Sequence, residues 1–389
     1  MDTKLAADLF CSLLMGNHIM TGNQILGVIS HEGLKTLESF WDSHEKIMNA
    51  DHLSSDQMDR FEKFRKSEVY EKLDTYVKYV SERSIKSIDR LDDQYPEYMQ
   101  NLTNMPLVLY YKGDISLLSE KRSRVCIVGT RRPSAYGRRV TREFSERLAR
   151  HELVIVSGLA RGVDTLAHEG CLTAGGKTIA VMPCGLDRIY PKENRELFER
   201  ISQEGLLLSE LLPGQDPTRK YFPARNRILS ALSDLVLITE AGKNSGTLHT
   251  ASFAAAQGRE VFAVPSIIYS ETAEGNLSLL RDGASVAIEP EDILAYLAKA
   301  VFFRELEEIK DEYDRKALQK RIKEDPDSIT SDEIRRILID ILSSYDLSAD
   351  ELVRESGLPY RSVITELGKM ELEGSVVRER QKYVLTIRF

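Results

Sequence analysis

The sequence has few cysteines and histidines and no long apolar run. Its 4 cysteines are scattered without CxxC spacing, and its 7 histidines are dispersed along the chain. This pattern predicts buried free thiols, with no disulfide framework, metal site or cofactor. No apolar run approaches the ~18 residues of a spanning helix, and the stretch MDTKLAADLF has no basic region before an apolar one. We therefore expect a cytoplasmic protein that does not enter a membrane.

Acidic residues outnumber basic ones overall, by 61 to 53, but the positive charge is concentrated locally. The net charge of −8 over 389 residues argues against a nucleic-acid partner. One stretch reverses that expectation, because it contains basic residues and no acidic one: Lys121, Arg122, Arg124, Arg131, Arg132, Arg138 and Arg139. Acidic residues gather instead at positions 304–355. An anionic partner would be steered to the basic stretch.

The periodicity of apolar residues predicts four segments. Residues 1–85 have the three- and four-residue spacing of short helices, and 86–300 alternate strand and helix patterns, which predicts a doubly wound, mostly parallel α/β sheet of Rossmann type. A densely charged helical linker is expected at 301–327. Residues 328–389 read as three helices and a hairpin, a winged helix-turn-helix pattern. The predicted strands of the sheet are 125–128, 153–156, 178–182, 206–209, 235–239, 261–264 and 285–288, with a further strand-like segment at 107–113.

Four polar loops, three of which contain glycine, follow strands or begin helices of the predicted sheet: GTRRPSAYG, SGLARGVDTLAH, FPARNR and EAGKNSGTLHTA. Ligands of doubly wound sheets bind at the carboxyl ends of strands, where helix-start amides and guanidinium groups suit oxyanions. A dinucleotide turn would have a second glycine where this chain has Arg131, which makes a dinucleotide oxidoreductase the least favoured alternative. The candidate phosphate-binding residues are Gly129, Thr130, Arg131, Ser157, Gly158, Arg161, Lys220, Phe222, Arg225, Asn226, Arg227, Ser245 and Gly246.

The role of Phe222 has two interpretations from sequence alone. Its ring either stacks on a base while neighbouring cations hold phosphates, or packs the following helix onto the core. Catalytic residues are scarce, because no nucleophile–base spacing is present. Asp164 is expected to favour a helix N-terminus and Glu240 to orient an arginine. We therefore expect a binding protein rather than an enzyme.

Together these motifs resemble the DprA (Smf) family of DNA-processing proteins. The similarity runs over nearly 200 residues, through QYPEYM, IVGTRRPSAYG, IVSGLARGVDTLAH, YFPARNRILSALSDLVLITEA, SGTLHTA and GREVFAVP. It implies an extended Rossmann domain that binds single-stranded DNA without sequence preference, forms homodimers and delivers DNA to the recombinase RecA in natural transformation, without established enzymatic activity. It also implies a winged helix at the C-terminus, a sterile-alpha-motif or helix-hairpin-helix-like domain at the N-terminus, and DNA contacts at Gly129, Arg131, Lys220, Phe222, Arg225 and Arg227.

Several positions depart from the family pattern and leave alternatives open. Ser266 replaces a usual glycine, Leu277 an asparagine and His249 an aliphatic residue. A phosphoribohydrolase-like enzyme would have a glutamate at the position of Thr250. A sensor of a nucleotide-derived ligand is a further alternative. The third C-terminal helix, YRSVITELGKMELEG, has three acidic and two basic residues, so the winged helix is expected to bind protein or its own core domain rather than DNA.

Overall fold

The computed structural model describes residues 2–48, 52–100, 102–119, 122–301, 321–322, 328–344, 346–379 and 381–385. The chain divides into two compact units, Met1–Leu297 and Ala298–Phe389. Within the described ranges, no helix combines the length and the apolar character that crossing a membrane requires. The predicted linker at 301–327 lies outside the described residues except for 301, 321 and 322, as does Lys121 of the basic stretch.

The first unit begins with a helical segment whose starts are fixed by capping side chains. Asp2, Thr21, Thr36 and Ser54 each accept a hydrogen bond from a backbone N–H in the first turn of the helix that follows. The apolar faces of these helices share one core with one face of the sheet, where Phe10 and Tyr110 are fully buried. The described helices here are α1 (Thr3–Gly16), α2 (Gly22–His31), α3 (Leu37–Ile47), α4 (Ser55–Arg65), α5 (Glu68–Glu71) and α6 (Leu73–Ser81).

The described residues of the first unit form a nine-stranded, mostly parallel sheet in the order β1-β2-β6-β5-β4-β3-β7-β8-β9. Only β1 and β2 are antiparallel to their neighbours. The strands are β1 (Lys86–Asp89), β2 (Val108–Gly113), β3 (Arg124–Val128), β4 (Val154–Ser157), β5 (Thr178–Val181), β6 (Leu206–Ser209), β7 (Leu235–Ile238), β8 (Glu260–Ala263) and β9 (Ser285–Val286). The predicted doubly wound fold is confirmed.

Helices cover both faces of this sheet. Alternate residues of β3 enter different cores, since Cys126 and Val128 pack on one face and Val125 and Ile127 on the other. The connecting helices are α7 (Glu97–Gln100), α8 (Ala135–Arg150), α9 (Val163–Thr173), α10 (Arg195–Glu204), α11 (Tyr221–Ala231), α12 (Thr247–Ala256), α13 (Glu274–Arg281) and α14, described over 290–301.

The order of the strands reverses between β3 and β7, which are neighbours in the sheet. The chain runs from β3 through β4 and β5 to β6 on one side, and from β7 to β8 and β9 on the other. Loops that leave strands at such a reversal separate and open a crevice at the carboxyl ends. The turn after β3 and the loop after β7 flank this crevice, and Thr130 N–H donates to the Glu240 carbonyl oxygen at 2.7 Å.

The second unit is a small domain with its own core. It contains α15 (Ser331–Ser344), α16 (Ala349–Ser356), α17 (Tyr360–Leu372) and the hairpin β10 (Val376–Glu379) and β11 (Lys382–Leu385). Ser348 and Glu351 form a capping box at the start of α16, and Gly357 ends that helix with a φ of 68°. The predicted winged helix is confirmed.

One acidic residue of α17 is not a surface charge. Glu366 is 3% exposed, and its carboxylate accepts hydrogen bonds from Ser331 at 2.5 Å, Arg335 at 2.9 Å and Lys369 at 3.0 Å. The bonds from Ser331 and Arg335 join α15 to α17, whereas the bond from Lys369 lies within α17. The acidic excess counted along the sequence of α17 therefore overstates the negative charge of its exposed face.

Candidate functional site

A cavity of about 440 Å³ lies at the carboxyl ends of β3, β4 and β7. It occupies the crevice where the strand order reverses, and its wall includes the first residues of α11 and α12. Helix N-termini carry partial positive charge, which favours an anion in this position. The predicted site residues that line it are Gly129, Arg131, Asp164, Phe222, Arg225, Asn226, Ser245 and Gly246.

Glycines allow the loops around the cavity to pack closely. A Cβ on Gly129 would lie 2.6 Å from a Val163 methyl and 2.7 Å from the Glu240 carbonyl oxygen. Gly162 has a φ of 80° and lies against the backbone of Arg131, a conformation and a clearance that side chains do not tolerate. The turn after β3 is therefore fixed against its neighbours.

Arg131 and Phe222 form a cation–aromatic pair at the cavity. The guanidinium carbon of Arg131 lies 5.0 Å from the centre of the Phe222 ring. The Phe222 and Tyr190 rings meet edge to face, with centroids 5.5 Å apart. Phe222 is half-buried and Arg131 is exposed. The ring thus packs against the protein on one side and lines the cavity on another, so both interpretations of Phe222 remain open.

Arg225 lies beneath the loops rather than at the surface. Only 4% of it is exposed, and its guanidinium donates to the carbonyl oxygens of Gly158, at 2.8 Å, and Val181. A Cβ on Gly158 would lie 2.0 Å from this guanidinium, which explains the glycine. Burial lowers the pKa of Arg225, with the charge of Asp164 opposing that effect. The group supplies positive charge to the cavity and joins the loop after β4 to the last residue of β5.

Two further titratable groups are buried near Arg225. Burial raises the pKa of Asp164 to about 6, although Arg225 and the N–H groups of Ala160 and Gly158 oppose the rise. Asp164 lies in the first turn of α9, as predicted. Burial, with a smaller contribution from Arg225, lowers the pKa of His168 to about 3, so this imidazole is neutral at pH 7.

Three predicted cations lie away from the cavity wall. Arg161 is exposed and forms an ion pair with Glu193, and Arg227 makes a two-fold contact with Glu210, at 2.5 and 3.2 Å. Lys220 is exposed, and with Arg227 it lines a second cavity of about 530 Å³ against the helical segment. The expected convergence of four arginines therefore reduces to Arg131 and Arg225, because carboxylates neutralise the other two.

Three other singled-out residues, Ser157, Glu240 and Thr130, make contacts within the protein. The Ser157 hydroxyl is buried and donates to the Ile127 carbonyl oxygen at 2.6 Å. Glu240 accepts from the Ser134 N–H and the Thr272 hydroxyl rather than orienting an arginine. Thr130 is half-buried, and its hydroxyl accepts from the Arg132 N–H at 3.2 Å.

Arg124, in the basic stretch, is buried at the opposite end of β3. Its guanidinium lies 4.4 Å from the centre of the Tyr98 ring and donates to the carbonyl oxygens of Leu232 and Ser119. The basic stretch is therefore divided between the two ends of one strand.

Sequence reasoning missed several residues of the site. Thr247 and Thr250 line the cavity from the start of α12. His249, which departs from the family pattern, lines the cavity as well. Asn276 does not line the cavity but is fully buried beside Leu277, and its side-chain amide donates to the carbonyl oxygens of Ile238 and Val264 at 2.9 Å each. No local signal identifies Asn276, because its partners are on β7 and just after β8.

Among the described residues, one group of at least three histidine, cysteine or acidic side chains brings its ligand atoms within 4.8 Å of one another. It consists of His31, Glu32 and His52 in the helical segment, not in the cavity.

Comparison with known families and proteins accounts for both units. Residues 86–298 match the model of DNA recombination-mediator protein A, and residues 323–381 match the DprA winged helix domain. DNA processing protein DprA of Bacillus subtilis is 42% identical over 203 residues, which are 52% of this chain and 68% of that protein. Protein Smf of Synechocystis is 45% identical over 208 residues, 52% of each chain. The chain thus spans about half of the Synechocystis relative.

Solved structures agree with these matches. The X-ray structure of DNA processing protein A from Streptococcus pneumoniae has a TM-score of 0.62 and 34% identity, and covers 76% of this chain and 98% of its own. The structure of DNA processing protein A from Helicobacter pylori, described with a unique single-stranded DNA binding mode, has a TM-score of 0.51 and 35% identity. It covers 56% of this chain and 96% of its own. On these grounds the chain belongs to the DNA recombination-mediator protein A (DprA) family.

Proposed function

We propose that this protein binds single-stranded DNA without sequence preference, in the cavity at the carboxyl ends of β3, β4 and β7. The observation that carries the proposal is the Arg131 guanidinium above the half-buried Phe222 ring. An exposed aromatic face stacks on any base, and an adjacent guanidinium binds the flanking phosphate, so such a pair is tolerant of sequence. None of the ion pairs among the described residues involves Arg131.

The remainder of the cavity suits one segment of a flexible strand. Its volume of about 440 Å³ is in the range of sites that hold one small ligand. The buried Arg225 and the N-termini of α11 and α12 add positive potential that favours a phosphate. The single-stranded DNA binding described for the H. pylori relative supports the same ligand class here.

Fluorescence anisotropy with labelled oligo-dT across a salt series tests the proposal. Affinity should fall linearly with salt on a double-logarithmic plot, with a slope of about −0.7 for each phosphate neutralised. Arg131→Ala should weaken binding and reduce the slope by about one phosphate contact. Arg132→Ala is the matched control, because Arg132 is exposed but does not line the cavity.

Two results would contradict this assignment. A wild-type protein that binds no oligo-dT at low salt would exclude single-stranded DNA as the ligand. If Arg131→Ala and Arg132→Ala lose affinity for oligo-dT equally, the DNA binds outside the cavity.

We further propose a homodimer. Large apolar side chains are exposed after β8 and in or after the neighbouring strand β9, at the end of the sheet: Ile267, Ile268, Tyr269, Val286 and Ile288. Exposed apolar side chains at one end of a sheet favour association with a second copy. Light scattering coupled to size exclusion should give twice the chain mass, and Ile268→Glu should give a monomer. A wild-type monomer at micromolar concentration would refute the dimer.

The family resemblance supports a more specific proposal, in which the protein loads RecA onto the strand during natural transformation. RecA should then hydrolyse ATP faster on oligonucleotides coated with single-strand-binding protein when this chain is added. Arg131→Ala should reduce that stimulation. An unchanged RecA rate would limit the function to DNA binding.

An enzymatic alternative is testable on the same cavity. Among its lining residues, Asp164 alone carries a carboxyl group, and Arg225 lies against it. Thr250, where a phosphoribohydrolase has its glutamate, has only a hydroxyl group. Incubation with nucleoside monophosphates should therefore release no base, and release that is lost in Asp164→Asn would support the enzyme.

A further inference from the structure

The helical segment holds three potential metal ligands at one point on its surface. The Nδ1 of His31 lies 3.0 Å from Glu32 Oε1, and the Nε2 of His52 lies 2.9 Å from the same oxygen. The two imidazole rings meet edge to face, with centroids 5.3 Å apart. All three ligand atoms lie within 4.8 Å of one another.

The backbone positions these three groups independently of any ligand. His31 is the last residue of α2 and Glu32 is its C-cap, whereas His52 belongs to the segment between α3 and α4, 20 positions further along the chain. The C-terminal end of a helix carries partial negative charge, which favours a cation beside it. The side chain of His52 is 11% exposed, whereas that of His31 is 74% exposed, so one ligand is held by packing and another is reachable from solvent.

We propose that His31, Glu32 and His52 form a binding site for one Zn²⁺ ion, which joins the end of α2 to the segment before α4. Two imidazole nitrogens and one carboxylate oxygen are a ligand set that zinc accepts, with water in the fourth position. Tetrahedral bonds of about 2.0–2.1 Å place ligand atoms roughly 3.3 Å apart. The two distances of about 3 Å to Glu32 therefore need only a small outward adjustment. Nitrogen ligands disfavour Mg²⁺ and Ca²⁺.

Calorimetric titration of the chelator-treated full-length chain with ZnCl₂ tests the site. The wild type should bind one zinc ion, and MgCl₂ should give no binding. His31→Ala should weaken zinc binding by more than the ~10- to 100-fold that removal of a group outside the coordination sphere causes. Because His31 is largely exposed, this variant should fold as the wild type does, which circular dichroism without zinc verifies.

A second variant and a control distinguish this site from other zinc contacts. Glu32→Gln should also lose binding, and zinc should raise the unfolding temperature of the wild type but not of either variant. His151→Ala removes an exposed histidine outside the cluster and should bind zinc as the wild type does. The proposal fails if the wild type shows no saturable binding of one zinc, or if His31→Ala and Glu32→Gln retain wild-type affinity.

Discussion

Replacement of the buried Arg225 by methionine should destabilise the protein rather than remove only a ligand contact. The substitution keeps much of the apolar length but removes the donors to Gly158 and Val181. Each buried carbonyl left without a partner costs about 1–3 kcal/mol. Asp164 also loses the positive charge beside it, and separation of a buried charge pair typically costs about 3–5 kcal/mol. These costs overlap, so we expect a loss of about 4 kcal/mol in the free energy of unfolding.

Thermal and urea unfolding at pH 7 measure this loss. For a domain of this size, 1 kcal/mol changes the unfolding temperature by about 2–4 °C, so Arg225→Met should unfold roughly 10 °C below the wild type. The matched control is Arg131→Met, in which an exposed arginine above Phe222 is changed in the same way. That variant should unfold within about 2 °C of the wild type while losing affinity for oligo-dT.

The reverse pattern would refute the reasoning. If Arg225→Met unfolds at the wild-type temperature and loses only DNA affinity, Arg225 acts as a ligand contact and its hydrogen bonds add little stability. A double-mutant cycle with Asp164→Asn separates the two costs. Its coupling energy should be favourable, because the second change removes the carboxylate that the first leaves unpaired.

Three further predictions concern other parts of the chain. Gly137→Ala should cost about 1–3 kcal/mol in urea unfolding, because its Cβ would lie 1.9 Å from the Glu240 carboxylate; wild-type stability would show that this carboxylate moves freely. The pKa of His168 is 6.5 in the unfolded chain but about 3 in the folded protein. The free energy of unfolding should therefore fall by roughly 1 kcal/mol per pH unit below pH 6.5. His168→Gln should have a shallower dependence of stability on pH, and an equal dependence would contradict the burial effect. Glu366→Gln should lower the unfolding temperature of the winged helix, because it weakens a charge-assisted hydrogen bond to Arg335 worth about 1.5–3 kcal/mol. Calorimetry of the unfolding transition of the second unit would detect this change, and an unchanged transition would show that the bond adds no stability.

Most of the parallel strands were predictable because each is a short, mostly apolar run between turn residues. Strand β1 was not, since Lys86–Asp89 has the sequence KSID and contains one apolar residue, Ile88. It forms by pairing with β2, whose residues lie about 20 positions later in the chain. Pairing partners of this kind leave no pattern in the strand itself.

The position of the site was predictable for a similar reason, and its charges were not. The carboxyl ends of parallel strands meet at one edge, which brought the predicted loops together. Arg161 forms an ion pair with Glu193, 32 positions away. The sequence does not indicate which residues of two separate loops face each other. Arg225 and Arg227 are two residues apart on α11, so they point to different sides of the helix. Arg225 is therefore buried against backbone carbonyl oxygens, whereas Arg227 pairs with Glu210.

The loops around the cavity bind one another before any ligand arrives. The Thr130 N–H donates to the loop after β7, and the Val163 N–H donates to the Thr130 carbonyl oxygen. Arg225 joins the loop after β4 to the last residue of β5. Ordering flexible loops normally subtracts from affinity. Because these contacts form during folding, the proposed binding of a DNA strand would cost conformational freedom of the strand and little of the protein's. Association should consequently be limited by encounter with the strand rather than by a slow rearrangement of the protein.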